Sequence, residues 1–132
     1  MVQSRLIEIT HISTTLFMAK FFAVYRVPVA MSDEWRKNTK PEEMKAQMDK
    51  MMADMTAWTA KHKASLVEEG RPLGKTKTVT VEGTTDTRND LNYYCVVEAD
   101  SHEAAAEIFA ENPHLQIPTS SIDVMTIPNM GM

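Results

Sequence analysis

Two side chains in this sequence sit where they could move a proton. His114 stands in a connection beside Pro113, and an imidazole there could serve as general base or acid near neutral pH. Asp123 is a carboxylate inside an apolar run, between Ile122 and Val124; in covered space it must be paired or its pKa must rise. Arg26 is a plausible partner for Asp123, either as a structural pair across strands or as a charge held in a site. Tyr25, Tyr93 and Tyr94 offer an aromatic wall with hydroxyl handles, a lining that suits a small, mostly apolar ligand and equally suits core packing. His114 and Asp123 are therefore the catalytic candidates. Arg26, Tyr25, Tyr93 and Tyr94 are the substrate-binding candidates.

Other reactive residue types carry weaker signals. Cys95 is the only cysteine, so an internal disulfide is excluded; it lies in the apolar run Tyr93 to Val97 and reads as a small buried hydrophobe in a reducing cytoplasm. Met44, Met48, Met51, Met52 and Met55 could in principle bind a soft metal, but methionine at helical spacing is what a core uses to fill gaps. The histidines at 11, 62, 102 and 114 are scattered, with no metal-ligand spacing, and no phosphate-cradling glycine motif occurs. No cofactor is expected. With a net charge of -4, the chain has no general attraction for nucleic acid or anionic membranes. The basic residues between Lys61 and Lys77 are interrupted by Glu68 and Glu69 and read as a solvated face.

The elements that must hold these residues follow from periodicity. Residues 1–17 lack a signal-peptide core and read as an extension, flexible or not native, with Met18 as a natural start; residues 18–132 make one domain. Phe21 to Val29 alternates as a strand whose two faces are both largely apolar. Pro28 to Asn38 reads as a connection with at most a helical turn around Asp33 to Lys37. A long helix then opens at Thr39, with Glu42 completing a capping box and Pro41 in its first turn. Its apolar stripe runs from Met44 to Trp58. Gly70 to Gly74 is rich in turn residues, Lys75 to Glu82 alternates as an edge strand, and Gly83 to Asn89 reads as a polar loop. Leu91 to Ala99 is a third strand, Asp100 caps a second helix buried through Ala104, Ala105, Ile108 and Phe109, and Ser121 to Ile127 is the last strand.

The order β, helix, β, β, helix, β predicts an α+β, ferredoxin-like βαββαβ unit: a four-stranded antiparallel sheet with two helices on one face. Apolar residues on the other face call for a cover, and a second copy packed sheet to sheet is the simplest.

Several pieces also resemble the YCII-related family, which includes the DGPF-type proteins. Residues 20–26, KFFAVYR, are similar to its opening strand, Pro41-Glu42-Glu43-Met44 to its helix start, and Gly70 to Lys75 to its turn before the second strand. Tyr93-Tyr94 with Glu98 to Ser101, Asn112-Pro113-His114-Leu115, Ile122-Asp123-Val124 and Pro128 to Met130 are similar to its later parts, so the likeness spans about residues 20–130. It implies a dimeric α/β barrel enclosing pockets and little about activity. Some members are thought to use a His–Asp pair near the end of the first strand. Here residues 27–34 contain Asp33 but no histidine, and Gly83 to Thr87 stands in place of the Asp-Gly-Pro-Phe motif.

The resulting expectation is a cytoplasmic homodimer of unassigned activity. It would either act on a small organic molecule by acid–base chemistry in a barrel pocket or serve as a non-catalytic binding or dimerisation module.

Overall fold

Strand β1 (Ala19–Arg26) places Phe21, Ala23 and Tyr25 on one side and Phe22, Val24 and Arg26 on the other, as alternation along a strand requires. A computed structural model, which describes residues 18–129, pairs β1 on both edges. Strand β5 (Leu91–Ala99) runs antiparallel along one edge, with Tyr25 opposite Tyr93, Ala23 opposite Cys95 and Phe21 opposite Val97. Strand β6 (Ser121–Thr126) runs antiparallel along the other, with Ala23 opposite Val124 and Val24 opposite Asp123. Strand β2 (Leu66–Pro72) adds to β5, so the sheet order is β2-β5-β1-β6. With two helices between β1 and β2 and another between β5 and β6, the strands take the α+β, ferredoxin-like order the periodicity predicts.

The second strand lies elsewhere than expected. Residues 66–72 occupy the sheet edge, although Gly70 and Pro72 carry turn signals. Gly70 is required there: its φ is +79°, and a Cβ would stand 1.5 Å from the Tyr94 carbonyl oxygen. The register slips on either side of Glu68, which marks an edge bulge where glycine lets two backbones approach. The alternating segment at Lys75 to Glu82 does form a strand, β3 (Thr76–Thr80), but it pairs only with β4 (Gly83–Thr87) in a separate hairpin between β2 and β5. The expected polar loop is thus the second arm of that hairpin, held by Lys77–Asp86 at 2.6 Å and by the Thr78 and Thr87 hydroxyls at 2.7 Å.

Three helices accompany the sheet. The connection expected after β1 is a ten-residue helix, α1 (Val29–Asn38), with Arg36 and Lys37 in the last turn where the helix dipole favours cations. Helix α2 (Pro41–Lys61) begins at Pro41 and carries Glu42 and Glu43 in its first turn. The Thr39 capping box does not form: Lys40 is the capping residue, without a side-chain bond. Lys45–Asp49 and Lys50–Asp54 pairs support the exposed side of α2 at 2.8 and 2.6 Å. Helix α3 (His102–Ile108) is capped by Ser101, whose Oγ accepts the Ala104 N–H at 3.0 Å, and not by Asp100, which lies one residue too early to reach it.

The methionine stripe of α2 is wider than the surface it rests on. Trp58 is the one buried residue of the helix. At 100° per residue, Met51, Met44 and Met55 lie about 20°, 40° and 60° from Trp58 around the helix, and all three are half-buried. Met48 and Met52 lie about 80° and 120° away, and are 56% and 68% exposed.

The core sits between the sheet and helices α2 and α3. Phe21, Ala23, Tyr25, Cys95, Val97 and Ala99 face Trp58, Ala105 and Phe109 there. The opposite sheet face is mixed rather than apolar throughout. Phe22, Val24, Tyr94, Val96 and Met125 form a stripe, with the Phe22 and Tyr94 rings 5.7 Å apart. Charged Arg26 and Asp123 border it at one end, and Lys20 and Glu98 at the other.

Candidate functional site

The candidate residues separate onto the two faces of the sheet. Tyr25 and Tyr93 point into the helix-covered side, their rings 5.1 Å apart. Tyr94 points to the other side, where its hydroxyl donates to Glu68 Oε1 at 2.5 Å. The three tyrosines therefore do not form one wall.

His114 belongs with Tyr25. It lies on a short 3-10 turn, Pro113–Gln116, that Asn112 caps by accepting the His114 N–H at 2.9 Å. The imidazole is buried, sits edge-on to the Tyr25 ring at 5.0 Å, and approaches the Arg26 carbonyl oxygen through Nε2 at 3.0 Å. A carbonyl only accepts, so Nε2 carries the proton and Nδ1 holds the lone pair. Burial holds the His114 pKa below the ordinary histidine value, against the opposing pull of the Arg26 and Ser121 backbone, so the ring is neutral at pH 7.

Asn112 ties this group together. It is 2% exposed, and its Nδ2 donates to Tyr25 Oη at 2.9 Å. The Tyr25 hydroxyl also lies 3.9 Å from Cys95 Sγ. Burial, then the neighbouring Cys95, pushes the Tyr25 hydroxyl far above its usual range, and burial pushes the Cys95 thiol up to about 11. Both groups are neutral and unreactive as they stand.

Asp123 lies on the opposite face from His114, because its register partner is Val24. Arg26 Nη1 donates to Asp123 Oδ2 at 2.9 Å, which joins the two as a pair across strands. Arg26 has a second and closer partner that sequence reasoning missed: its Nε and Nη2 both donate to Asp90 Oδ2, at 3.0 and 2.7 Å. The Arg26 guanidinium holds the Asp90 carboxyl below the usual carboxylate range, chiefly through these hydrogen bonds. Asp90 sits between an apparent loop and β5, and only the register between β1 and β5 reveals it as a neighbour of Arg26.

The cavity the architecture provides is formed by other residues. A cleft of about 460 Å³ opens beneath α1, between α2, the exit of β1 and the segment after the 3-10 turn. Met31 and Trp35 from α1, Met48 and Met51 from α2, Val27 and Ile117 make its apolar walls. Arg36, Gln47, Lys50 and Asn92 supply polar atoms. The Trp35 indole N–H donates to Gln47 Oε1 at 2.6 Å, which fixes the ring between the two helices. The half-exposed flank of the methionine stripe is thus a cleft wall. None of the six candidate residues lines the cleft, though Gln116, Ile117 and Pro118 of its wall begin two residues after His114. Trp35 and Arg36 were invisible as site residues because their segment carried no helix signal beyond a single turn.

Among the described residues, no three His, Cys, Asp or Glu side chains gather as a metal would need, and no helix is long and apolar enough to cross a membrane. No family model matches the chain, and no curated protein matches it. Among solved structures it is similar to 5-chloro-2-hydroxyhydroquinone dehydrochlorinase from Burkholderia phenoliruptrix AC1100, in complex with 2,5-dihydroxybenzoquinone. The two are 15% identical with a TM-score of 0.37, over 78% of this chain and 90% of that one. A likeness at that level bears on neither site nor chemistry.

Proposed function

We propose that this chain is a small-molecule-binding protein of the YCII-related kind, working as a homodimer in the cytoplasm. The observation that carries the binding reading is the cleft beneath α1. Its volume of about 460 Å³ and its mainly apolar lining with a few polar groups are what a small organic ligand needs. Trp35 gives it a flat wall, and three methionines give a wall that can adapt to shape. A thermal-shift screen against small acids and lactones tests the reading, on wild type and on Trp35→Ala. Compounds that stabilise the wild type should lose that effect in the variant. Stabilisation that persists in Trp35→Ala, or no stabilising compound at all, counts against the cleft.

The homodimer reading rests on the second sheet face. Phe22, Val24, Tyr94, Val96 and Met125 make an apolar stripe in which Val24 is already buried and Met125 is exposed, and sheet-to-sheet packing of two copies would cover the rest. Arg26, Asp90 and Asp123 would then lie at the rim of the interface. Sedimentation should give a dimer for wild type and a protomer for Val96→Lys. A wild type that sediments as a protomer at high micromolar concentration would refute it.

A catalytic reading has one observation in its favour. Burial lowers the His114 pKa, which favours the neutral imidazole that a general base starts from. In that reading His114 moves a proton for a substrate entering past Ile117, and Asp123 acts only indirectly, through Arg26. A ligand found by the screen would show altered turnover or altered pH dependence in His114→Gln; identical behaviour of the two proteins would remove His114 from the site.

A further inference from the structure

The cleft does not end where its apolar wall ends. Ser32, Arg36 and Asn92 line it, and the same three residues line a second, wider cavity of about 1230 Å³ between α1 and the β3–β4 hairpin. The two spaces therefore share Ser32, Arg36 and Asn92 as a common wall. Their linings differ sharply. The second cavity is walled by Arg36, Lys75, Lys77 and Arg88, and Asp86 is its one carboxylate among the described residues.

Part of that positive charge is already neutralised. Lys77 is paired with Asp86 at 2.6 Å, and Arg88 donates to both oxygens of Asp33 at 2.8 and 3.2 Å. Arg36 and Lys75 form no ion pair among the described residues. Two cations outside any ion pair thus stand on the rim of a polar cavity: Lys75, and Arg36, which lines the apolar cleft as well and whose charge also acts on Asp33. This local excess occurs in a chain whose net charge is -4. A field of opposite sign to the whole protein is a means of concentrating an anion at one place on the surface.

We propose that the two cavities are one bipartite site and that its ligand is an amphipathic organic anion. This deepens the binding reading above and rests on it. The apolar body lies against Trp35, Met31 and Met51, and the anionic group lies between Arg36 and Lys75. Arg36 is the specificity-determining residue, because it alone among the charged groups lines both parts. A planar guanidinium on the last turn of α1 offers paired N–H groups that match a carboxylate, sulfonate or phosphate.

Two fluorescent probes test this. 8-Anilinonaphthalene-1-sulfonate and N-phenyl-1-naphthylamine share one aromatic body and differ in the sulfonate. The wild-type chain should bind the sulfonate about fivefold more tightly than the neutral probe in low salt, the scale of two exposed charge contacts. Arg36→Gln with Lys75→Gln should bring the two affinities together by weakening the sulfonate far more than the neutral probe. Met51→Gln should weaken both probes alike, and Trp35→Phe should reduce energy transfer to either. Equal affinities in the wild type, or a sulfonate preference that survives Arg36→Gln with Lys75→Gln, would overturn the anionic specificity while leaving the cleft as a binding site. Failure of both probes to bind, or binding that Met51→Gln and Trp35→Phe leave untouched, would overturn the cleft and the bipartite site together.

Discussion

Replacing Asn112 by alanine should be among the most damaging single changes in this chain, although Asn112 lines neither the cleft nor the wider cavity beside it. The side chain is 2% exposed and makes two bonds at 2.9 Å, one donated to Tyr25 Oη and one accepted from the His114 N–H. Alanine removes both and leaves buried groups behind. The Tyr25 hydroxyl would keep only a sulfur at 3.9 Å, and the first turn of the 3-10 segment would lose its cap. Each lost buried bond with an orphaned partner costs about 1–3 kcal/mol. Asn112→Ala should therefore cost about 3 kcal/mol, a large part of the 5–15 kcal/mol by which domains are stable. Tyr25→Phe removes one of the two bonds and should cost about half as much. Urea denaturation followed by circular dichroism measures both, and the double variant closes a cycle whose coupling should be about 1 kcal/mol. A loss under about 1 kcal/mol for Asn112→Ala, or a coupling near zero, would refute the idea that this bond pair holds His114 and Tyr25 together.

Gly70→Ala should abolish soluble expression or cost more than about 3 kcal/mol in urea denaturation, since the added carbon meets the Tyr94 carbonyl and the positive φ disfavours any side chain. The folded state prefers His114 neutral, with a pKa below the unfolded value of 6.5, so its contribution to stability is complete above that value and fades as pH falls below it. Wild type should thus lose stability between pH 7 and 5 more steeply than His114→Gln, with the residual slope including His62, whose pKa burial also lowers. Asp90→Asn should lower the urea midpoint more than Asp123→Asn, because Asp90 receives two of the three Arg26 bonds, and 1 M salt should shrink both differences. Cys95, with its thiol raised to about 11 by burial, should resist iodoacetamide at pH 8 in the native protein and react promptly in urea, as mass spectrometry would record.

What could be read from the sequence, and what could not, divides on physical grounds. β1 and β5 were legible because both of their faces carry apolar side chains, which leaves a continuous apolar run bounded by polar residues, and β6 because Ile122, Val124 and Met125 give it a shorter run of the same kind. The second strand was not legible because it is an edge: it pairs only with β5, its side chains are mostly exposed, and its bulge demands Gly70, the residue type that otherwise announces a turn. The first hairpin arm was legible as an edge strand, but the second, Gly83–Thr87, is exposed and rich in threonine, and such a strand looks like a loop whenever apolar alternation is the signal sought.

The site follows the same logic. His114 was conspicuous as a lone imidazole beside a proline, and Asp123 as a lone charge in an apolar strand. Yet the parity of the strands decides their relation. Asp123 shares a face with Val24 and Arg26, while His114 lies across the sheet against Tyr25, so no single space holds both. Alternation within each strand was visible in the sequence, but the register that sets Asp123 beside Val24 was not. The cleft was hidden for a different reason. Its walls come from the flank of a methionine stripe that exceeds the core it packs on, and from a helix whose ends carry no capping residue. An apolar surface larger than its own core requires is the physical trace a binding cleft leaves in a sequence. In α2 that trace is Met48, about 80° around the helix from the buried Trp58 and 56% exposed, yet a wall of the cleft.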